Sequence, residues 1–212
     1  MTTEQINSPS YWEKRFATGD WQTHRGSWQT TEFAKAQVKR FGIPADFDGT
    51  IVDFGCATGD AFPVYREAYP KAKLVGVDIS NSATDEARRK YGEFATFIAG
   101  GVEAVPASDV IIASNVLEHL DDDLAIATEL RLKSQRLFIV VPYREAPLDL
   151  EHVRSYEADR FDSLGPKRHV IYYCVGWTEF GRGLIRKAVK NVGRIFRAQP
   201  VYPVNRQIMF EF

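Results

Sequence analysis

The sequence predicts an α/β fold in which a mostly parallel sheet carries helices on both faces, and three observations lead to it. From residue 50 onward, short apolar runs alternate with helical patterns. The first run passes through a glycine-bearing turn, Ile51-Val52-Asp53-Phe54-Gly55-Cys56-Ala57-Thr58-Gly59-Asp60, directly into a helix start. The chain closes with two runs read as strands, Gly193 to Pro200 and Asn205 to Phe212, joined only by Val201-Tyr202-Pro203-Val204. So short a connection makes that pair antiparallel, because parallel neighbours need a long crossover.

The elements follow in order. Thr50 to Phe54 is the first strand, and its helix runs to about Tyr69 before Pro70 stops it, with Pro63 early enough to be tolerated. Lys73 to Asp78 is the second strand. Asn81 or Ser82 caps the helix after it, Arg88-Arg89-Lys90 suit its carboxyl end, and Tyr91-Gly92 closes it. Phe94 to Ala99 and Ser108 to Ser114 are strands three and four. A helix from Asp121 to about Ser134 leads to strand five, Gln135 to Val141, which Pro142 ends. Residues near 143–176 read as a polar, substrate-selecting insertion, because loops of that length usually bind something. Trp177 to about Asn191 is the last helix. Residues 1–49 form a separate N-terminal segment ahead of the domain at 50–212; Tyr11, Trp12, Phe16, Trp21, Trp28 and Phe33 make it too apolar for a disordered tail.

Composition narrows the function. At 212 residues with 44% hydrophobic content, the chain suits one domain with a substantial core. A net charge of −1 argues against a protein devoted to polyanion binding. Two cysteines, Cys56 and Cys174, are too few for a disulfide framework or a thiolate metal cluster, and both are expected reduced. No apolar run reaches the length of a membrane span and no secretory pattern opens the chain, so a cytoplasmic enzyme is expected.

The glycine turn is where backbone amides can approach a nucleotide. The carboxylate of Asp78, at the end of the next strand, can accept both ribose hydroxyls of an adenosine. The same residues could serve structure alone, Gly55 and Gly59 as a tight turn and Asp78 as a helix cap.

Together they resemble the class I S-adenosylmethionine (SAM) dependent methyltransferases, whose first motif is acidic-x-Gly-x-Gly-x-Gly. Here it is Asp53-Phe54-Gly55-Cys56-Ala57-Thr58-Gly59, with alanine at the middle glycine. Ser108 to Leu120 is similar to the family's fourth strand and the loop beneath the methyl donor, and the matches cover residues 50–142. The resemblance implies a Rossmann-like sheet of seven strands with a reversed last strand, and SAM as cofactor. It places Asp53, Gly55, Cys56, Ala57 and Gly59 around the methionine moiety and Asp78 and Ile79 at the ribose side. Gly101 and Val102 border the adenine, where relatives often carry an aspartate at the position of Gly101, and Asn115 and Val116 form the pocket floor. Tyr11-Trp12-Glu13-Lys14-Arg15 and Gly26-Ser27 resemble a segment that folds over the cofactor in several small methyltransferases. Tyr11 and Trp12 would face the sulfonium by cation–π attraction and Arg15 the cofactor carboxylate.

SAM needs no activation, so the protein must position a nucleophile and, for a hydroxyl, take its proton. His119 after strand four and His152 after strand five are the candidate bases, each in a loop at the carboxyl edge of the sheet. Glu118 and His119 with Asp121, Asp122 and Asp123 could be read as a divalent-cation site, but aspartates at a helix start are accounted for by the helix dipole and solvent. No metal is expected. Arg144, Arg154 or Arg168 would touch an anionic or sugar-bearing acceptor, and the run Arg182, Arg186, Lys187, Lys190, Arg194 and Arg197 reads as a solvated face.

The resulting expectation is an enzyme that methylates a small molecule or saccharide, with oxygen the leading acceptor atom. A non-catalytic SAM-binding module and a nucleic-acid methyltransferase are the alternatives, the latter disfavoured by overall charge. A nicotinamide-dependent oxidoreductase would share the glycine turn but not the reversed strand.

Overall fold

A computed structural model describes residues 5–174, 183–202 and 204–212. Three helices come first: α1 (Pro9–Ala17), α2 (Asp20–Thr23) and α3 (Gly26–Phe41). There follow β1 (Thr50–Phe54), α4 (Phe62–Ala68), β2 (Lys73–Asp78), α5 (Asn81–Tyr91), β3 (Ala95–Ala99), β4 (Ser108–Ser114), α6 (Asp123–Leu132) and β5 (Ser134–Pro142). The last elements are β6 (Arg168–Tyr173), α7 (Gly183–Phe196) and β7 (Arg206–Glu211).

All seven strands form one sheet in the order β3-β2-β1-β4-β5-β7-β6. The first five strands are mutually parallel, and β7 lies antiparallel to both β5 and β6. The strands read as continuous apolar runs because both faces are covered. Ile51, Val110, Ile112, Phe138 and Val140 pack with α3 and α4 on one side. Their neighbours Val52, Ile111, Ala113, Leu137 and Ile139 pack with Ala127 and Leu130 of α6 on the other. The period-two alternation of a strand thus divides one sequence run between two cores. Phe41 at the end of α3 meets Phe138 of β5 with ring centroids 4.6 Å apart, which fixes α3 across the sheet.

The closing antiparallel pair is present, but its first member is not Gly193 to Pro200. Residues 193–196 finish α7, and the partner of β7 is β6, within the stretch read as insertion. The apolar residues Ile185, Val189, Val192 and Phe196 recur at helical spacing, which a strand cannot use. By contrast, Arg168-His169-Val170-Ile171-Tyr172-Tyr173 is rich in β-branched and aromatic residues. The polar loop is therefore shorter than expected and ends before β6. Residues 177–182 of the expected last helix, and Pro203 of the expected turn, lie outside the described residues.

A smaller correction concerns α5. Its cap is Ser80, whose hydroxyl accepts from the Ala83 amide at 3.1 Å, rather than Asn81 or Ser82. Ser82 is engaged differently: its amide donates to Glu13 of α1 at 3.2 Å, and the hydroxyls of Ser80 and Ser82 donate to the same carboxylate. A carboxylate at a helix N-terminus is electrostatically favourable, and here it is supplied by another helix. At the other flank, the Tyr11 hydroxyl and the Arg15 guanidinium both donate to the Glu151 carboxylate, and Asn7 donates to the Glu151 carbonyl at 2.7 Å. Thus α1 is fastened both to the turn after β2 and to the loop after β5.

Candidate active site

The carboxyl edge of the sheet is shaped first by the turn after β1. Gly55, Ala57 and Gly59 all take positive φ, +77°, +49° and +76°. A Cβ on Gly55 would lie 2.2 Å from Val116 Cγ2, and one on Gly59 would lie 3.0 Å from the Tyr91 ring. Both glycines are therefore required by packing as well as by conformation. Ala57 holds the same left-handed backbone with a side chain, at a cost of roughly 1–2 kcal/mol. The turn is fixed to β2 by the Asp78 carboxylate, which accepts from the Ala57 amide at 2.8 Å and the Ser80 amide at 3.0 Å. Burial raises the Asp78 carboxyl to about 6, against the pull of those amides. Burial, reinforced by the charge of Asp78, raises Asp53 to about 8.

A cavity of about 1370 Å³ opens beside this turn. Its lining includes Trp12, Arg15, Asp53, Gly55, Ala57, Asn115, His119 and His152 among the residues singled out from sequence. Asp78 and Ile79 are not in that lining; Asp78 is buried behind the turn, and Ile79 stands 45% exposed just beyond it. Gly101 donates to Glu103 at 2.8 Å, and that carboxylate fills the space a side chain at 101 would occupy. Val102 begins a short 3-10 turn there. Cys56 and Gly59 do not line the cavity: the thiol is buried in the core and Gly59 faces α5. Val116 packs on Gly55 from below. Tyr11 turns to Glu151 rather than into the cavity, and burial with that carboxylate raises its hydroxyl to about 12.

Several lining residues carried no sequence signal. Gln29 and Gln37 come from α3, in the N-terminal segment that reads from Tyr11 to Gly26-Ser27 as folding over the cofactor and in which, past that point, only aromatics such as Phe33 stand out. Gln37 donates to Ser114 at 2.7 Å, and Ser114 donates to the carbonyl of Asn115 at 3.2 Å. The same carbonyl accepts from Gln207 at 2.8 Å, and the Asn115 amide donates to Glu118 at 3.1 Å. Asn115 itself has φ +56°. The buried Gln29 carbonyl has no hydrogen-bond partner and faces the cavity, an acceptor available to a ligand.

The two histidines meet. Their ring centroids are 5.0 Å apart at 69°, and Trp12 packs on His119 at 5.0 Å from the other side. His119 Nδ1 lies 3.1 Å from the Glu151 carbonyl, and His152 Nδ1 contacts the Glu145 carboxylate. Burial lowers His119 to about 3. Burial would lower His152 too, but Glu145 and Glu118 outweigh it and the net direction is upward. Burial raises Glu118 to about 7.

The polar loop separates its arginines. Arg144 lines the cavity and pairs with Glu157. Arg154 instead holds the carbonyls of Leu120 and Asp121 and pairs with Asp123 at 3.0 Å, and Arg168 joins Glu211 at 2.6 Å and the Arg40 carbonyl at 2.9 Å. These two buttress the fold and do not reach the cavity. Arg186 and Lys190 of α7, read as a solvated face, do line it.

Residues 52–133 match a protein-family model described as "Methyltransferase domain". The chain is similar to a trans-aconitate 2-methyltransferase from Azoarcus sp. (strain BH72), 32% identical over 90 residues that cover 42% of this chain and 36% of the relative. A malonyl-[acyl-carrier protein] O-methyltransferase from Anoxybacillus flavithermus (strain DSM 21510 / WK1) is 30% identical over 90 residues, 42% of this chain and 34% of that protein. The chain thus spans about a third of the length of these curated relatives. Its fold is shared with the solved phosphoethanolamine N-methyltransferase 2 of Haemonchus contortus in complex with S-adenosyl-L-methionine. That likeness has a TM-score of 0.64 at 12% identity, over 94% of this chain and 59% of that one. Among the described residues, no helix is long and apolar enough to cross a membrane.

Proposed function

We propose that this methyltransferase transfers the methyl group of SAM to an oxygen of a small anionic or polyhydroxylated acceptor, saccharides included. The observation that carries the reading is the continuity of the cavity. It runs from Gly55 and Ala57, where the methionine end of the donor belongs, past Asn115, His119 and His152, to Arg144, Arg186 and Lys190. Cations at one end suit a carboxylate or phosphate on the acceptor, while the histidines lie where its reactive oxygen would stand.

In the transfer, an acceptor oxygen lone pair forms the bond to the methyl carbon as the carbon–sulfur bond breaks, and its electron pair stays on sulfur. The products are the methylated acceptor and S-adenosylhomocysteine. A carboxylate has no proton to lose. A hydroxyl loses one, and of the two imidazoles on the cavity His152 is the better base, because against burial Glu145 and Glu118 raise its pKa, whereas burial lowers that of His119 to about 3. The lid role of residues 1–49 belongs to the same reading: α1 places Trp12 and Arg15 on the cavity, closing the donor off from water. Two of the relatives are named for acid acceptors, which favours oxygen over nitrogen.

The test is label transfer from methyl-labelled SAM to a panel of organic acids, hydroxylated small molecules and saccharides. Formation of a methyl ester or ether with one S-adenosylhomocysteine per methyl is expected, and Arg186→Ala or Lys190→Ala should raise the acceptor KM with little change in SAM affinity. Tight SAM binding with no label transfer across the panel would turn the reading toward a non-catalytic module. Transfer only to amines or to nucleic acid would replace the acceptor class.

A further inference from the structure

We propose that Glu118, His119 and His152 form a binding site for one divalent first-row transition ion. Each offers a ligand atom within 4.8 Å of the other two. Glu118 and His119 are neighbours in the 3-10 turn Leu117–His119 after β4, while His152 arrives from the loop after β5. Two segments that are distant in sequence therefore converge on one point at the cavity wall.

The partners of these three side chains argue for an ion rather than for a chance cluster. In metal sites, a histidine commonly directs one ring nitrogen to the metal and donates the other to a carbonyl or carboxylate, which fixes tautomer and ring orientation. Both arrangements occur here. His119 Nδ1 is held 3.1 Å from the Glu151 carbonyl, and His152 Nδ1 is held by the Glu145 carboxylate. The remaining lone pair of each ring is on Nε2. Glu118 is 1% exposed; its Oε1 accepts from Asn115 at 3.1 Å, and its Oε2 is buried with no hydrogen-bond partner. An unpaired carboxylate oxygen in such a place costs stability unless a cation or donor meets it.

Two imidazoles and one carboxylate are a borderline ligand set, suited to zinc, iron, manganese or cobalt rather than to magnesium or calcium, which prefer oxygen. All three line the cavity, so further coordination positions would face the acceptor. Ligation at about 2.0–2.2 Å from an ion requires the three ligand atoms, which lie within 4.8 Å of one another, to draw closer together. The aspartates of the neighbouring helix start are not part of the site. Asp123 is taken by Tyr156, Arg154 and Arg160, which leaves no carboxylate edge for an ion.

The role that follows rests on the oxygen-acceptor reading: a cation here would hold the acceptor oxygen and lower the pKa of a hydroxyl, so the two imidazoles would act through it instead of taking the proton themselves. Binding can be tested without any acceptor. The full chain, freed of metal by chelator and dialysis, is titrated with Mn²⁺ followed by electron paramagnetic resonance and with Zn²⁺ in competition with a chromogenic chelator. One ion per chain is expected. Glu118→Gln and His152→Asn should each weaken binding about tenfold or more, whereas His24→Asn and His169→Asn should leave it unchanged. His152 lies on a loop, so its variant decides the matter if the buried Glu118 variant fails to fold. Non-saturating binding, or wild-type affinity in His152→Asn, overturns the site and leaves O-methylation standing. A bound ion without methyl transfer to any oxygen acceptor would overturn the role and keep the site.

Discussion

The Ala57 amide donates to the Asp78 carboxylate at 2.8 Å, joining the turn after β1 to the end of β2. The residue proposed to hold the ribose therefore also sets the shape of the turn proposed to receive the methionine end of the donor. Asp78→Ala should raise the SAM dissociation constant by about 10- to 100-fold, in keeping with the loss of charge-assisted hydrogen bonds. Calorimetric titration with SAM, alongside circular dichroism to confirm the fold, makes the measurement; unchanged affinity would remove Asp78 from the site.

The pH dependence has two opposite signs. Burial places Asp78 at about 6 and Asp53 at about 8 in the folded chain, above the value of roughly 3.9 for an exposed aspartate. A raised folded-state pKa contributes stability that is fully present below the unfolded pKa and lost as pH rises through the folded one. Thermal stability from this pair should fall as pH climbs from about 4 to about 8. SAM affinity should move the other way, falling as pH drops through about 6, because the ribose hydroxyls donate to the ionised Asp78. Melting curves and titrations across this range in wild type and Asp78→Asn separate the two, since the variant should lose both the acid-side decline in affinity and Asp78's part of the stability change.

Gly55 and Ala57 respond in opposite directions to a change of one methyl group. Gly55→Ala would set a Cβ 2.2 Å from Val116 at φ +77° and should destabilise the fold and abolish SAM binding. Ala57→Gly relieves a left-handed alanine and should leave stability within about 1 kcal/mol of wild type. If Ala57→Gly weakens SAM binding, the alanine methyl makes a favourable contact with the donor.

Glu151 fastens α1 through Arg15 and Tyr11, both largely withdrawn from solvent. Glu151→Gln should loosen α1 by about 1–3 kcal/mol, seen as faster amide hydrogen exchange over residues 9–17 with little change in the sheet. SAM should dissociate faster in the same variant. Equal exchange in both proteins would show that Glu13 alone holds the helix.

Arg168 bridges β6, Glu211 of β7 and the end of α3. Arg168→Ala should lower the melting temperature and leave the acceptor KM as it was. A raised KM would return this residue to the acceptor site.

The cofactor half of the fold was legible because its signals are local. Glycine positions, a strand-ending acid and unbroken apolar runs are set by backbone conformation and by burial on both faces. Ser108–Ser114 was located to the residue for that reason. The acceptor half was not, because its groups come from separate segments. Gln29 and Gln37 sit on α3 among residues that pack the sheet, and Arg186 and Lys190 sit on a helix that looks solvated. Only the folded chain brings His152 to Glu118, across 33 intervening positions, and only there does the carboxylate show an oxygen without a donor. The misplaced sixth strand has a different origin: Gly193 and Pro200 supply turn signals around the wrong segment, whereas the β6 sequence runs on into Cys174-Val175 with no turn residue directly after it.

Among the described residues, β6 pairs in the sheet with β7 alone, and β7 fills the gap between it and β5. The strand that comes earlier in the chain must therefore wait for the later one. During synthesis, residues 168–173 leave the ribosome with no sheet edge they can join in register, while β5 keeps an open edge until residues 206–211 arrive. Assembly of this protein thus has an enforced order, with a vulnerable interval in which two unpaired strand edges coexist.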